Sequence, residues 1–591
     1  MCAIFGYNLS SINAKDFHRL LIHRGPDYQK NLNFLNFTVG HNLLAIRDQV
    51  ENSIQPIETE NQRFIFSFNG QIYNNEYLKK KFNLRKDIIL DTEVVVAVIN
   101  KINLDFIKYI KGMFSISLID KKNKKLYLYR DQSGQKTLYY YFDKKNFIYS
   151  SEIEPIRRII RPNEYNSNIL PEILNYGFTV NDETYIKNLY KVLPGQMIEY
   201  CFTENYIKKN NFSQNKKNDF TSISDEISGV IKNTIQTQNK IALNLSGGLD
   251  SNVILYEARK YTDQLLLFVC KYDTKDNIYN EDFKIASSVS KKFGSKLNVT
   301  DINEKDYVNS FIESKLALSE SNRNISDAII YLNYKNQKKF NIRTVLTGDG
   351  GDELFVGYER YFIKTFFRKF LNLYFSLLKK QDLNIIINLF KKNYYSYIFK
   401  SRKNNFISNQ KNNFLRRDKL FIENFNNFIN SFYTFEDTKD YRQFFLYLDN
   451  YVWQSNEALP RNDHFGMKFN IETRSPFLEY DLKYSFYNHL PADIFDKKIN
   501  KYYLRASYEN KISEEVMKNK KKLGWTVPKD WLQSEKLREV VLDNLPKKDD
   551  ESIKWNKVYN YLSKEKNFML DKSFYGLIFF GINLKNKINA Q

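Results

Sequence analysis

A short turn rich in glycine and hydroxyl groups, Ser246-Gly247-Gly248-Leu249-Asp250-Ser251, separates an apolar run from a segment with helical periodicity. A turn that opens a helix presents free backbone N–H groups, which bind anions. Asp250 would repel a bare phosphate, but it suits one whose charge is shared with a Mg²⁺ ion. The Gly-Lys-Ser/Thr ending of a Walker loop is missing. We therefore predict a site for a metal-bound pyrophosphate; the alternative is an ordinary strand–helix turn.

A second turn, Gly348-Asp349-Gly350-Gly351-Asp352-Glu353, follows the apolar run 343–347. Ligands bind at the carboxyl ends of the strands in open parallel sheets, so both turns are expected at one edge of such a sheet. Asp352 could share a metal ion with Asp250, and Asp349 could serve as a base. Two such turns in one sheet favour a functional site over an acidic surface turn.

The third candidate for chemistry is Cys2, which becomes the N-terminal residue if Met1 is removed. A free α-amino group, with a pKa of about 7.7–8.0, can then act as the base for its own thiol. The thiolate is the reactive form of cysteine, so the adjacent base matters. On position alone, a buried or incidental cysteine is the alternative.

The elements that must position these residues fall into two regions. Residues 1–207 contain short alternating runs, which predict strands. Residues 208–222 are polar without apolar periodicity and are predicted to be a linker. In residues 223–591 apolar runs alternate with helical patterns, which predicts a parallel sheet with crossover helices. A helical insertion is expected at about 361–450.

The composition argues against several classes of protein. The 591 residues include no apolar run of membrane-spanning length and no basic-plus-apolar leader, so we expect a cytoplasmic protein of two or more domains. Three dispersed cysteines and five dispersed histidines argue against a disulfide framework and a zinc site. The net charge of +22 is scattered, which favours lysine-rich solvated faces over a nucleic-acid or anionic-membrane partner.

Motifs of the second region resemble the synthetase domain of glutamine-hydrolysing asparagine synthetases, and they occur in the order of that family. They are SGGLDS (246–251), GDGGDELFVGY (348–358), IETRSPFLEYDL (471–482), KYYLR (501–505) and KKLGWTVP (521–528). The resemblance implies a parallel-sheet α/β domain of the adenine-nucleotide α-hydrolase type, with extra helices. It also implies an enzyme that uses ATP and Mg²⁺ to adenylate a carboxylate, so that ammonia can displace AMP.

Roles for individual residues follow from this resemblance. Asp250 and Asp352 would bind Mg²⁺, and Asp349 would be the base. Lys501 would neutralise charge as ammonia attacks the acyl-adenylate. The implied ATP contacts are Asn244, Ser246, Gly247, Gly248, Leu249, Asp250, Ser251, Cys270, Thr347 and Gly348.

The first region resembles class II glutamine amidotransferase domains of the N-terminal-nucleophile hydrolase type, which implies an αββα sandwich. The motifs are HRGPD (23–27), FNGQIYN (68–74), LDTEV (90–94), GMFSISLID (112–120) and RDQSGQKTLYY (130–140). By this resemblance Cys2 would attack the side-chain amide of glutamine and release ammonia into an internal channel. The Asn69 side chain and the Gly70 N–H would form the oxyanion hole. Asp91 would pair with the α-ammonium group of glutamine.

The first region departs from the family pattern at the glutamine site. Ala3 follows Cys2 in place of glycine, and Gln71 replaces the acid of Asn-Gly-Glu. Leu43 stands at the position of the arginine that binds the α-carboxylate of glutamine. Arg47 lies about 13 Å farther along a strand, at roughly 3.3 Å per residue, so it could substitute only if the chain bends. We predict weak or altered glutaminase activity, with free ammonia as an alternative nitrogen donor.

The leading functional prediction is a carbon–nitrogen ligase that makes L-asparagine from L-aspartate, with glutamine or ammonia as nitrogen donor. The first alternative is amidation of another acid, such as a sugar acid of a surface polysaccharide. The second is an ATP-dependent tRNA-modifying enzyme, which would be expected to bring a cysteine pair or an RNA-binding module; neither is seen. A non-catalytic relative would be expected to lose the acidic turns and Lys501. A homodimer without nucleic-acid or membrane partners fits the family.

Overall fold

The computed structural model describes residues 2–47, 50–162, 165–215, 220–237, 240–362, 442–491, 493–497, 499–519 and 524–588. The first region folds into two antiparallel sheets of six strands each. One sheet contains β1 (Ala3–Tyr7), β2 (Tyr28–Phe34), β3 (Phe37–Leu43), β8 (Tyr139–Phe142), β9 (Phe147–Ser150) and β10 (Leu189–Lys191), in the order β10-β8-β9-β1-β3-β2. The other contains β4 (Ile57–Glu58), β5 (Phe64–Ile72), β6 (Gly112–Asp120), β7 (Lys125–Arg130), β11 (Gln196–Cys201) and β12 (Tyr206–Asn211), in the order β12-β11-β7-β6-β5-β4.

The two sheets face each other across a shared core. Phe37 and Tyr149 of the first sheet pack in one cluster with Ile119 and Leu128 of the second. The helices of this region are α1 (Ala14–Leu20), α2 (Asn75–Lys81), α3 (Asp91–Ile102), α4 (Ile153–Ile160) and α5 (Leu170–Tyr176). Helix α1 packs on the outer face of the first sheet and α3 on that of the second. The αββα sandwich expected from the resemblance is therefore confirmed.

The second region is built on a five-stranded sheet in which all neighbours are parallel. Its strands are β13 (Ile241–Asn244), β14 (Leu265–Tyr272), β15 (Leu297–Ile302), β16 (Thr344–Leu346) and β17 (Glu472–Arg474), in the order β15-β14-β13-β16-β17. The inner strands are almost wholly apolar because helices cover both faces. The strands expected from the apolar runs before the two glycine-rich turns are confirmed as β13 and β16.

Helices surround this sheet. They are α6 (Ile223–Thr234), α7 (Leu249–Ala258), α8 (Glu281–Lys292), α9 (Glu304–Leu316), α10 (Asp327–Lys338), α11 (Gly351–Leu354), α12 (Arg442–Leu448), a π-helix (Asp449–Ala458), α13 (Leu459–Lys468), α14 (Tyr480–Asn488), α15 (Tyr502–Ser507), α16 (Glu514–Lys518), α17 (Lys529–Leu532), α18 (Glu535–Asp543), α19 (Trp555–Lys564) and α20 (Tyr575–Asn583). Most of the insertion predicted at 361–450 lies outside the described residues. Within the described ranges, no helix has the length and apolar character needed to cross a bilayer.

The sheet topology determines where the two glycine-rich turns meet. Strands β13 and β16 are direct neighbours, with Leu243 opposite Leu346. Their carboxyl ends therefore lie side by side, as the sequence predicts for a ligand site in a parallel sheet. The chain between the two regions differs in one detail from the prediction. Strand β12 continues to Asn211, so residues 208–211, expected in the linker, belong to the antiparallel sheet.

Candidate active sites

The turn after β13 is held in shape by its own polar groups. The Ser246 N–H donates to Ser251 Oγ at 3.1 Å, and the Gly248 N–H donates to Ser246 Oγ at 3.1 Å. Asn252 Nδ2 donates to the carbonyl groups of Ser246 and Gly248 at 3.0 and 2.7 Å. Gly248 is the N-cap of α7, so the turn leads directly into a helix N-terminus. This end of the helix favours bound anions.

Glycines allow the second turn to approach the first. A Cβ on Gly351 would lie 2.5 Å from Asp250 Cγ, and one on Gly348 would lie 3.0 Å from Asp250 Cβ. A Cβ on Gly357 would lie 2.0 Å from Asp352 Oδ1. Larger residues at these positions would push the carboxylates apart, so the glycines are needed for the two acids to share one space.

Lys501 links the two carboxylates. Its Nζ forms ion pairs with Asp250 Oδ2 and, at 2.8 Å, with Asp352 Oδ1. Lys501 is buried, and it adopts a left-handed backbone conformation (φ +53°) at the start of α15. Asp250 Oδ1 is buried and accepts no hydrogen bond from any residue the structure describes. Three residues that are distant in the sequence thus form one charged cluster.

This cluster borders a cavity of about 370 Å³, a volume typical of small-molecule sites. All of the predicted ATP contacts line it except Gly247. The Gly247 N–H instead donates to Asp282 Oδ1 at 3.0 Å, and Asp282 itself lines the cavity. Asn244 is held by Asn333 and Gln337, whose side-chain amides donate to its Oδ1 at 2.9 and 2.6 Å.

Asp349 also lines the cavity, and a residue that the sequence analysis missed contacts it. Asn462 Nδ2, on α13, donates to Asp349 Oδ2 at 2.8 Å. One residue earlier, Arg461 lines the same cavity and forms a buried ion pair with Glu457. The only signal in the sequence for the ion pair between Glu457 and Arg461 is the spacing of four residues, which places both side chains on one face of a helix.

The thiol site lies at the start of the first sheet. The Cys2 N–H donates to Asn69 Oδ1 at 3.0 Å. Asn69 Nδ2 is buried and donates to none of the described residues. A Cβ on the adjacent Gly70 would lie 2.0 Å from the Met113 carbonyl oxygen, so only glycine fits in this strand pairing. Burial raises the pKa of the Cys2 thiol. The structure therefore places the Asn69 side-chain amide, whose Nδ2 has no partner among the described residues, against the backbone of the predicted nucleophile.

The residues predicted to recognise glutamine also come together. Asp91 begins α3, and its Oδ2 accepts a hydrogen bond from the Ile72 N–H at 3.0 Å. Strand β3 ends at Leu43, which is buried, and the chain then leaves the sheet. Arg47 Nη1 consequently lies 3.7 Å from Asp91 Oδ2. The bend that the sequence analysis required for Arg47 to replace the missing arginine is present.

Arg24, within HRGPD, was assigned no role from the sequence, yet it connects the two regions. Its fully buried guanidinium donates from Nε to the Cys2 carbonyl at 3.3 Å, from Nη1 to Glu152 Oε1 at 3.0 Å, and from Nη2 to Asp463 Oδ2 at 2.7 Å. Burial would lower the pKa of Arg24, but the Asp463 and Glu152 carboxylates outweigh it and raise the pKa. Asp463 follows Asn462 in α13. Through these neighbouring residues one helix contacts Asp349 at the cavity and Arg24 beside Cys2.

Together, an N-terminal-nucleophile sandwich and a parallel-sheet nucleotide domain define a glutamine amidotransferase joined to an ATP-dependent synthetase. The chain belongs to the asparagine synthase family: residues 223–572 match the family described as asparagine synthase, and residues 1–212 match the glutamine amidotransferase domain. Members of this family are carbon–nitrogen ligases.

Curated relatives agree with this assignment at low identity. A Methanocaldococcus jannaschii protein with the provisional name glutamine-hydrolyzing asparagine synthetase 2 is 29% identical over 435 residues, which cover 66% of this chain and 83% of the relative. The glutamine-hydrolyzing asparagine synthetase 1 of Bacillus subtilis is 24% identical over 547 residues, covering 88% of this chain and 85% of the relative. Asparagine synthetase B of Escherichia coli is 25% identical over 385 residues, covering 61% and 65%.

Proposed function

We propose that this enzyme amidates L-aspartate to L-asparagine, with ATP as the energy source and glutamine or free ammonia as the nitrogen donor. The observation that carries the proposal is the cluster of Asp250, Asp352 and Lys501 at the cavity that Asp349 also lines. A carboxylate is a poor electrophile, so it must be given a leaving group before an amine can attack it. Opposed acidic turns at a helix N-terminus provide a place for ATP with its metal ion.

The carboxylate oxygens of Asp250 and Asp352 are suitable ligands for Mg²⁺. Mg²⁺ prefers oxygen ligands and commonly takes one or two carboxylates together with phosphate oxygens. Asp250 Oδ1 is a buried oxygen with no hydrogen-bond partner in the described part of the chain, and Asp352 lies across Lys501 from it. In the proposal Asp250 and Asp352 hold the ion, which when bound neutralises charge on the phosphates of ATP.

The acid is activated in the cavity. An oxygen of its carboxylate attacks the α-phosphorus of ATP, the α–β phosphoanhydride bond breaks, and pyrophosphate leaves. Ammonia then attacks the acyl carbon and AMP leaves. In the proposal Asp349, oriented by Asn462, accepts the proton that ammonia loses, and Lys501 stabilises negative charge in the second step.

In the first region Cys2 is the proposed nucleophile once Met1 has been removed, with its own α-amino group as base. Asn69 Nδ2 and the Gly70 N–H would stabilise the oxyanion. Asp91 would bind the α-ammonium group of glutamine. Because Arg47 reaches Asp91, we propose that it binds the α-carboxylate, so that Leu43 only packs where the family usually has arginine. Ammonia would pass to the cavity internally, from a first domain that ends with β12 to a 223–591 domain, in a cytoplasmic homodimer.

The proposal is tested by pyrophosphate and AMP release from purified enzyme, with ammonium or glutamine supplied and a panel of acids that includes L-aspartate, L-glutamate and hexuronic acids. Pyrophosphate and asparagine are expected in equal amounts with L-aspartate. Release with a hexuronic acid alone would reassign the acceptor. Absence of pyrophosphate with every acid would overturn the synthetase assignment. Asp352→Asn is the matched inactive variant, because it keeps the side-chain volume but removes the negative charge.

A further inference from the structure

A short segment of the synthetase half, between α6 and β13, contacts the glutamine site of the other half. Gln236 Oε1 accepts a hydrogen bond from Arg47 Nη2 at 2.5 Å. The next residue, Thr237, donates from Oγ1 to the Ile46 carbonyl at 3.1 Å. The loop that carries Arg47 is therefore held at two successive residues by a segment outside its own domain.

The same segment explains a second departure from the family pattern. Gln71 Nε2 donates to the Gln236 carbonyl at 3.3 Å. A glutamate at position 71, as in Asn-Gly-Glu, would place a carboxylate oxygen against this carbonyl oxygen, and neither could donate. Gln71 departs from the family pattern, Arg47 would compensate for the departure at Leu43, and both contact Gln236.

Three buried polar atoms near the contact between Gln236 and Arg47 are available to bind a ligand. Arg47 Nη1, Gln71 Oε1 and Asn69 Nδ2 are all buried without hydrogen-bond partners in the described residues. They include two donors and one acceptor, and Asp91 adds a carboxylate 3.7 Å from Arg47 Nη1. A molecule with a carboxylate, an ammonium group and an amide carbonyl would satisfy all of them. Free glutamine is such a molecule.

Gln236 is held in turn from the synthetase side. Arg474, fully buried at the end of β17, donates from Nη1 to the Gln236 carbonyl at 3.1 Å and to the Thr234 carbonyl at 2.5 Å. The Arg474 carbonyl accepts a hydrogen bond from the N–H of Thr347, a residue of the nucleotide cavity, at 3.0 Å. Hydrogen bonds from the Arg474 side chain to the backbone carbonyls of Thr234 and Gln236 thus hold the segment from which the Gln236 side chain reaches Arg47.

We infer that Gln236 is a positioning residue of the glutaminase reaction, contributed by the synthetase half. It orients Arg47 through one nitrogen, so that the other nitrogen faces the α-carboxylate of glutamine. The inference rests on the proposed role of Arg47 in glutamine binding. It means that the glutamine site of this chain is complete only when the two halves are joined.

The test uses the full chain and two assays, glutamate release from glutamine and ammonia-dependent amidation. Gln236→Met keeps the bulk of the side chain but removes the acceptor for Arg47. We expect at least a tenfold rise in KM for glutamine, with kcat and ammonia-dependent amidation changed less than twofold. Gln264→Ala, an exposed glutamine of the same half, is the control and should leave both assays unchanged. Gln71→Glu, which restores the common family residue, should also raise KM for glutamine.

A double-mutant cycle separates positioning from a general structural effect. If Gln236 acts through Arg47, Arg47→Ala and Arg47→Ala/Gln236→Met will have the same KM for glutamine. Additive effects, or an unchanged KM in Gln236→Met, would overturn the inference while leaving the proposed amidation intact. No glutamate release by the wild type would also overturn it. Failure of ammonia-dependent amidation with normal glutamate release would instead reject the proposed synthetase function. The role of Gln236 would then still be tested by the KM for glutamine in glutamate release.

Discussion

Replacing Gly351 by alanine should disable the synthetase reaction although the new methyl group carries no charge. Its Cβ would lie 2.5 Å from Asp250 Cγ and 2.6 Å from Asp250 Oδ1. An ordinary carbon–carbon contact begins near 3.4 Å, so the Asp250 carboxylate must move by roughly 1 Å. Displacements of this size in an active site can lower rates by about 100-fold. We therefore expect kcat/KM for pyrophosphate release to fall by about two orders of magnitude.

The assay compares pyrophosphate release with glutamate release from glutamine in the same preparation. Glutaminase activity should stay within twofold of the wild type, because Gly351 belongs to the other region. Gly229→Ala is the matched control, since a Cβ there meets nothing within 4 Å. If Gly351→Ala released pyrophosphate at more than a third of the wild-type rate, the synthetase reaction would not require the close approach of the two acidic turns, and the reasoning would be refuted.

Three further outcomes are expected. Arg24→Met should destabilise the protein by about 3–5 kcal/mol, because it removes the buried guanidinium that pairs with both Glu152 and Asp463. Arg24→Met/Asp463→Leu should recover part of the lost thermal midpoint, and no recovery would contradict the reasoning. Burial raises the pKa of Glu172 from 4.5 to about 7, so the folded state favours its neutral form. The free energy of unfolding should therefore fall by about 3 kcal/mol as the pH rises from 4.5 to 7. Denaturant titrations of Glu172→Gln over this pH range should lack this fall, and the same fall in the variant and the wild type would refute the prediction. Cys2→Ala should abolish glutamine-dependent but not ammonia-dependent amidation, measured by product formation, whereas Cys201→Ala should change neither.

Strand β17 shows where prediction from the sequence stops. It is the short polar segment Glu472–Arg474, so no apolar run marks it. It lies within the parallel sheet because its charges compensate each other: Glu472 Oε1 accepts a hydrogen bond from Arg474 Nε at 2.5 Å. Burial would raise the pKa of Glu472, but Arg474 helps to lower it to about 2. Pairing between side chains allows a polar segment to form a buried edge strand, and hydropathy alone cannot detect such pairing.

The amino-acid sequence by itself determined the two sheet-based domains, the alternation of strands and helices, and both acidic turns. These features depend on local rules, because apolar periodicity marks buried faces and glycine marks places where the backbone needs space. The sequence also identified most of the candidate chemical groups, including Cys2, Asp250 and Lys501.

Beyond the meeting of the two acidic turns, only the tertiary structure decided which groups come together. It brought Lys501 between Asp250 and Asp352, bent the chain after Leu43 so that Arg47 reaches Asp91, and set Gln236 of one half against the glutamine site of the other. Such contacts join segments far apart in the chain. They depend on strand order and on the compensation of buried charge, and neither property is encoded in the spacing of residues within a motif.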